Sequence, residues 1–324
     1  MAVAFAPGKC ILFGEHAVVY GHPAVAVAID QGVQVSLEQS DEWLIEGSPF
    51  IPNQHPHISH ILHDLFKYEG HPLNIKIKSE LFSAAGLGSS AALSVAFGAA
   101  LQIYLGNDEE LDIIKLAKMG HSAEVISQEG RASPTDTAAS ALGGCIVVSG
   151  KEVDGTTNIF HSILKTPEGE RKWSINKVNI QNKSNDIYLI LGFTGDASPT
   201  GKMVSGVSKL LTYNPNKFQE MEEIASITIT GLNALSIGNF EAVGIAMNAC
   251  HTKLQNLEVS TPSLDRLVDA VRPYSLGAKM TGAGGGGCIV ALSRNPQRVT
   301  EEIEIAGGSP LISKLGSKGV YILK

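Results

Sequence analysis

The stretch "FSAAGLGSSAAL", residues 82–93, packs Gly86, Leu87, Gly88, Ser89, Ser90 and Ala91 between two regular elements. Before it, "LNIKIKSEL" (73–81) alternates apolar and polar residues, the mark of a half-buried strand. After it, "SSAALSVAFGAALQIYLG" (89–106) reads as a helix of small residues able to pack closely. N–H groups at a helix start have no intrahelical partner and sit at the positive end of the helix dipole. Glycines let an anion approach that backbone, and serines add hydroxyls. The residues alone allow a phosphate site, or a tight turn with Ser89 as N-cap.

Three owners of such a loop can be tested. A Walker A loop needs G-x-x-x-x-G-K-[ST], and no such string occurs in the chain. A protein-kinase loop would come with H-R-D and D-F-G, and neither occurs. A dinucleotide loop normally follows the first strand of its domain, whereas residues 1–81 precede this one. A second glycine run, "TGAGGGGCIVAL" (281–292), leads into an apolar strand instead of a helix.

Two further strings carry polar residues in apolar or small-residue settings. "PGKCILFGEHAVVYGHPAV" (7–25) places Lys9, Glu15 and His16 in or beside short apolar runs. Buried charges need partners or a function, and an exposed hairpin edge is the other reading. "SQEGRASPTDTAASALGG" (127–144) puts Asp136 before an alanine-rich run, as a proton acceptor for a hydroxyl or as a helix cap. His57, His60 and His63 recur every third residue and read as a solvated, partly packed helix face. That helix starts after Pro56 and aligns Ile58, Ile61, Leu62 and Leu65.

Composition narrows the class. The 324 residues are 44% hydrophobic and 18% charged, enough for a well-buried core in two domains or one large one. A net charge of −7 with no basic run argues against a nucleic-acid partner. Cys10, Cys145, Cys250 and Cys288 are far apart and read as reduced thiols. No leader-like segment and no bilayer-length apolar run is visible, so a cytoplasmic, membrane-free protein is expected. "AVAFA" and "CILFG" read as short strands broken at Pro7-Gly8, and 151–185 as a polar, poorly periodic join. "DIYLILGF", "GAKMT", "CIVAL" and "GVYILK" read as strands, and 200–211, 216–236, 239–257 and 261–272 as helices. Strands and helices mix without strict alternation, which favours α+β in both halves.

"PGKCILFGEHAVVYG", "GLGSSAA" and "KMTGAGGGGC" together resemble the three ordered motifs of the GHMP small-molecule kinases. Within them, "GEHAVVYG" with "ASPTDT" is similar to the archaeal type of mevalonate kinases. The resemblance implies a two-domain fold. Residues 1–180 would be like domain 2 of ribosomal protein S5, and 181–324 would be ferredoxin-like. It implies ATP phosphates wrapped by Gly86–Ala91, and Mg²⁺ held by Ser90 and an upstream glutamate. Glu124 matches that glutamate best, with Glu129 as the alternative. Glu124 precedes Asp136 by 12 residues, one more than is usual for the family. Asp136 would take the proton of the C5 hydroxyl of mevalonate, with Lys9 beside it. Glu15, His16, Thr200, Gly282 and Ala283 would shape the substrate site. A homodimer is implied. Phosphomevalonate or 3-phosphorylation of mevalonate is the alternative chemistry, and a catalytically silent nucleotide binder the alternative class. Phe82 and Ala84 stand where the family usually has proline and glycine, so a differently shaped start to the loop is expected.

Overall fold

The computed structural model describes residues 1–106, 110–127, 132–166, 169–181 and 186–323. Its first strands are β1 (Ala2–Phe13), β2 (Ala24–Gln39), β3 (Leu44–Ile45) and β4 (Ser48–Pro49). A short helix α1 (Pro56–Ser59) runs into a π-type turn, His60–Leu65. There follow β5 (Leu73–Ser79), α2 (Ser89–Tyr104), α3 (Ile113–Ser127), α4 (Thr135–Leu142), β6 (Cys145–Ser149), β7 (Thr157–Thr166) and β8 (Gly169–Val178). These strands form one sheet in the order β4-β3-β5-β2-β6-β8-β7, with β1 paired along β2.

The remainder is β9 (Tyr188–Phe193), α5 (Thr200–Tyr213), α6 (Phe218–Ser236), α7 (Phe240–Asn256), α8 (Pro262–Val271), β10 (Gly277–Thr281), β11 (Cys288–Ser293), α9 (Pro296–Ile305), β12 (Ser309–Lys314) and β13 (Tyr321–Ile322). The second sheet has the order β10-β11-β9-β12, all antiparallel. This is the ferredoxin-like order, and the mix of two sheets with helices is the expected α+β class. The chain then returns, and β13 pairs with β1 in the first sheet.

Three local readings change. Pro7-Gly8 does not break the first strand: β1 continues through it with a register shift between Pro7 and Lys9. A bulge bends a strand and re-aims its side chains without ending it. Thr157–Thr166 and Gly169–Val178 of the polar stretch pair as the antiparallel strands β7 and β8, and β8 extends the first sheet from β6. An edge strand pair with one wet face lacks the apolar content that marks a central strand. Leu65 is exposed, because the π-type turn takes it off the face shared by the buried Ile58, Ile61 and Leu62.

Helix α2 is buried almost all round through Ala91, Ala92, Val95, Ala96, Phe97, Ala99 and Ala100. Small residues let α3 and α4 approach it closely. This packing brings the starts of α2 and α4, the C-terminal end of α3 and β1 to one place. Among the described residues, no helix is long and apolar enough to cross a membrane.

Candidate active site

Helix α2 begins at Ser89, and its N-cap is Gly88, not Ser89, in a left-handed conformation at φ 74°. Among the described residues no side chain caps it, which leaves the first N–H groups of the helix for another acceptor. A side chain at Gly88 would press on its neighbours. A Cβ there would lie 3.2 Å from the Lys9 stem and 3.6 Å from Asp136 Oδ2. The loop therefore lies directly against both polar residues.

Lys9 and Asp136 meet for a local reason. The bulge at Pro7–Lys9 redirects β1, and Ser140 Oγ donates to the Pro7 carbonyl at 2.7 Å. Ser140 is four residues after Asp136, so both face β1 from α4. Lys9 Nζ lies 3.2 Å from Asp136 Oδ1 and donates to the Gly86 carbonyl at 2.9 Å. The Lys9 N–H donates to the Leu87 carbonyl at 2.9 Å. Asp136 lies within the first turn of α4, not at its cap.

The two members of the pair differ in access. The Lys9 side chain is 4% exposed and that of Asp136 38%. A ligand can reach the carboxylate but not the ammonium. Desolvation pushes the Asp136 pKa above its ordinary value, Lys9 opposes the rise and the Glu124 charge adds to it.

Glu124 is buried on α3, which passes through it as unbroken helix. Its extra residue of spacing is therefore not absorbed by a bulge at Glu124; Glu129 lies outside the described residues. His57 Nε2 is 3.1 Å from Glu124 Oε1. His60 contacts Asp64 and Ser122, and His63 sets its ring edge near Trp43. The first histidine of the row thus faces the site instead of solvent. Ser90 is exposed in the first turn of α2. The carboxylates of Asp136 and Glu124 lie close enough for the Glu124 charge to act on Asp136, and oxygen donors of this kind, with the Ser90 hydroxyl at the start of α2, are the type a divalent cation such as Mg²⁺ takes.

Glu15 and His16 follow β1 and face the second sheet. Glu15 is ion-paired with Lys279 of β10, and both side chains are enclosed, at 1% and 0% exposure. Burial raises the Glu15 pKa, and Lys279 opposes the rise. His16 Nε2 lies 2.9 Å from the Ala283 carbonyl, and burial lowers its pKa, favouring neutral imidazole. Thr281 Oγ1 accepts from the Ile11 N–H at 2.8 Å and donates to the Ile11 carbonyl at 3.0 Å. Gly282 lies across from Gly86: a Cβ on it would be 3.5 Å from the Gly86 carbonyl. Thr200 is exposed at the start of α5, and its N–H donates to the Ser198 carbonyl at 3.0 Å. The structure thus gathers Lys9, Gly86–Ser90, Asp136 and Glu124. It sets Glu15 and His16 behind them, in the junction with the second glycine run.

The motifs do not single out Lys279, although a lysine inside the apolar strand "GAKMT" demands a buried partner. Ser198 and Phe193, which touch Ala84 and Phe82 at the start of the glycine loop, carry no such signal.

A glycine loop opening a helix beside an accessible carboxylate and an enclosed lysine is an arrangement suited to phosphoryl transfer onto a small molecule. Family comparison agrees. The model of the GHMP kinases N terminal domain matches residues 57–144, and that of the GHMP kinases C terminal matches 230–307. A mevalonate kinase of Pyrococcus furiosus is 33% identical, covering 99% of this chain and 98% of its own. One from Methanothermobacter thermautotrophicus is also 33% identical, covering 94% and 98%. The crystal structure of the Methanococcus jannaschii mevalonate kinase superposes with a TM-score of 0.78 at 26% identity, covering 97% and 98%. The chain belongs to the GHMP kinases and, within them, to the mevalonate kinase family.

Proposed function

We propose that this kinase transfers the γ-phosphoryl group of ATP to the C5 hydroxyl of mevalonate, giving 5-phosphomevalonate. The observation that carries the reading is Lys9, which bridges the phosphate loop at Gly86 and the carboxylate of Asp136. One side chain thereby links the place for a nucleotide phosphate to the place for a hydroxyl proton.

Phosphoryl transfer passes through a loose transition state, so positioning and charge stabilisation dominate. The N–H groups at the start of α2, around Gly88–Ala91, which no side chain caps among the described residues, take the ATP phosphates. Asp136 accepts the hydroxyl proton as the oxygen attacks, and Lys9 stabilises the ionised carboxylate and the charge growing beside it. Ser90 and Glu124 would hold Mg²⁺, which when bound neutralises phosphate charge. Neutral His16, braced on Ala283 and backed by the Glu15–Lys279 pair, shapes the acceptor side with Gly282 and Thr200. Residues 1–180 and 181–324 are the proposed two domains: strands up to 178 share the first sheet and those from 188 to 314 the second, while β13 (Tyr321–Ile322), at the end of the second stretch, returns to the first sheet. A cytoplasmic homodimer is the proposed working form.

A coupled ADP-release assay over mevalonate, phosphomevalonate, homoserine and galactose tests the reading. Turnover with mevalonate, well above the other three, is expected. Background rates with mevalonate, or a preference for phosphomevalonate, would overturn it.

A further inference from the structure

The loop that opens α2 is held from outside itself. Residues 82–85 have no proline to fix φ and no glycine, and Ala84 adopts φ 52° in the left-handed region. Nothing in that composition stiffens the turn. The restraint arrives from the second sheet. The Phe82 ring stacks on Phe193, the last residue of β9, with centroids 5.0 Å apart and planes 16° from parallel. The Ala84 carbonyl accepts from the Ser198 N–H at 2.8 Å.

The segment supplying these contacts is itself anchored. Ser198 Oγ donates to the Gly284 carbonyl at 2.9 Å. The Gly287 N–H donates to the Asp196 carbonyl at 2.8 Å. The Gly287 carbonyl accepts from the Thr194 N–H at 3.0 Å and from its hydroxyl at 2.9 Å. Residues 193–198 therefore form a thread between the phosphate loop and the glycine run 284–287.

We propose that Phe193 and Ser198 are positioning residues for the ATP phosphates, setting the curvature of the loop from across the domain junction. The inference rests on the ATP-binding reading above. Backbone N–H groups bind phosphate well only when they are already aligned, because a slack loop must be ordered at the moment of binding. The stack and the Ser198 hydrogen bond supply that order in advance, and they tie nucleotide affinity to the second sheet.

Calorimetric titration of the full chain with ATP and magnesium, alongside turnover of mevalonate, tests this. Phe193→Ala should raise the Kd for ATP about five-fold, the loss expected from one aromatic stack. KM for mevalonate should stay near wild type. Among the described residues the Phe82 N–H donates to no backbone carbonyl, so proline can replace Phe82 without losing such a bond. Adding Phe82→Pro to Phe193→Ala should restore the Kd to within about two-fold of wild type, since proline stiffens the chain locally. A merely structural role of the stack would lower stability and both substrate affinities together, and proline would not rescue it. Should Phe193→Ala fail to fold, Phe82→Ala removes the same stack from the loop side and must show the same rise. An unchanged Kd in the alanine variant that folds, or no rescue by Phe82→Pro, overturns the inference while wild-type turnover keeps the functional reading. A wild-type chain that binds no ATP overturns both.

Discussion

Two lysine–carboxylate pairs flank the end of β1, and they do different work. Lys279 and Glu15 are sealed between the two sheets, at 0% and 1% exposure. Lys9 and Asp136 have the same chemistry, but Asp136 is 38% exposed. A fully enclosed pair can only hold structure together, because no substrate reaches it. A pair with one open member can exchange a proton with a ligand. On the proposed reading, access to the carboxylate, more than the presence of the ion pair, separates architecture from catalysis here.

The comparison can be broken first at the enclosed pair. Lys279→Met leaves the enclosed Glu15 carboxyl without its ion-pair partner, which should cost about 3–5 kcal/mol of stability. Thermal denaturation would show it as a large fall in Tm. Lys279→Met with Glu15→Leu should recover most of that loss, since two apolar side chains leave no orphaned charge. A small change in the single variant would mean that the pair is not enclosed.

Lys9→Met should act in the opposite sense. Water can reach the exposed part of Asp136, so the fold should survive. The kcat for mevalonate should fall about 10²-fold, or about 2.7 kcal/mol of transition-state stabilisation. If Lys9→Met unfolds the protein as Lys279→Met does, the distinction between the pairs fails.

The smallest effect is expected at Ala84. Replacing it with glycine relieves a left-handed alanine, and the looser unfolded chain offsets part of the gain. A stabilisation below about 1 kcal/mol in chemical denaturation is expected. A clear loss of stability would contradict the strain assigned to that residue.

What can be read from the sequence follows the same division. Lys9, Gly86–Ser90 and Asp136 lie in short strings whose residue types the chemistry restricts, so they stand out from their neighbours in the chain. The Glu15–Lys279 partnership does not, because 264 residues separate the two and only the packing of β10 against the end of β1 joins them. The β7–β8 pair is hidden for a different reason: an edge element with a wet face looks like a polar linker. Phe82 and Ala84 look like weaknesses of the phosphate loop. Their neighbours Phe193 and Ser198, more than 100 residues away, supply the missing rigidity. Local chemistry is legible in a sequence, whereas bracing between distant elements requires the fold.

The pH profile of kcat/KM for mevalonate, measured for wild type and Asp136→Asn, tests the central claim most directly. A base works ionised, so activity must fall as pH drops through the Asp136 pKa. That pKa is raised from 3.8, so the acidic limb should lie above the ordinary aspartate range. Asparagine cannot titrate: the variant should lose about 10²–10⁴-fold in rate and lack that limb. Near-normal activity in Asp136→Asn, or the same acidic limb in both proteins, would contradict the assignment of Asp136 as the base.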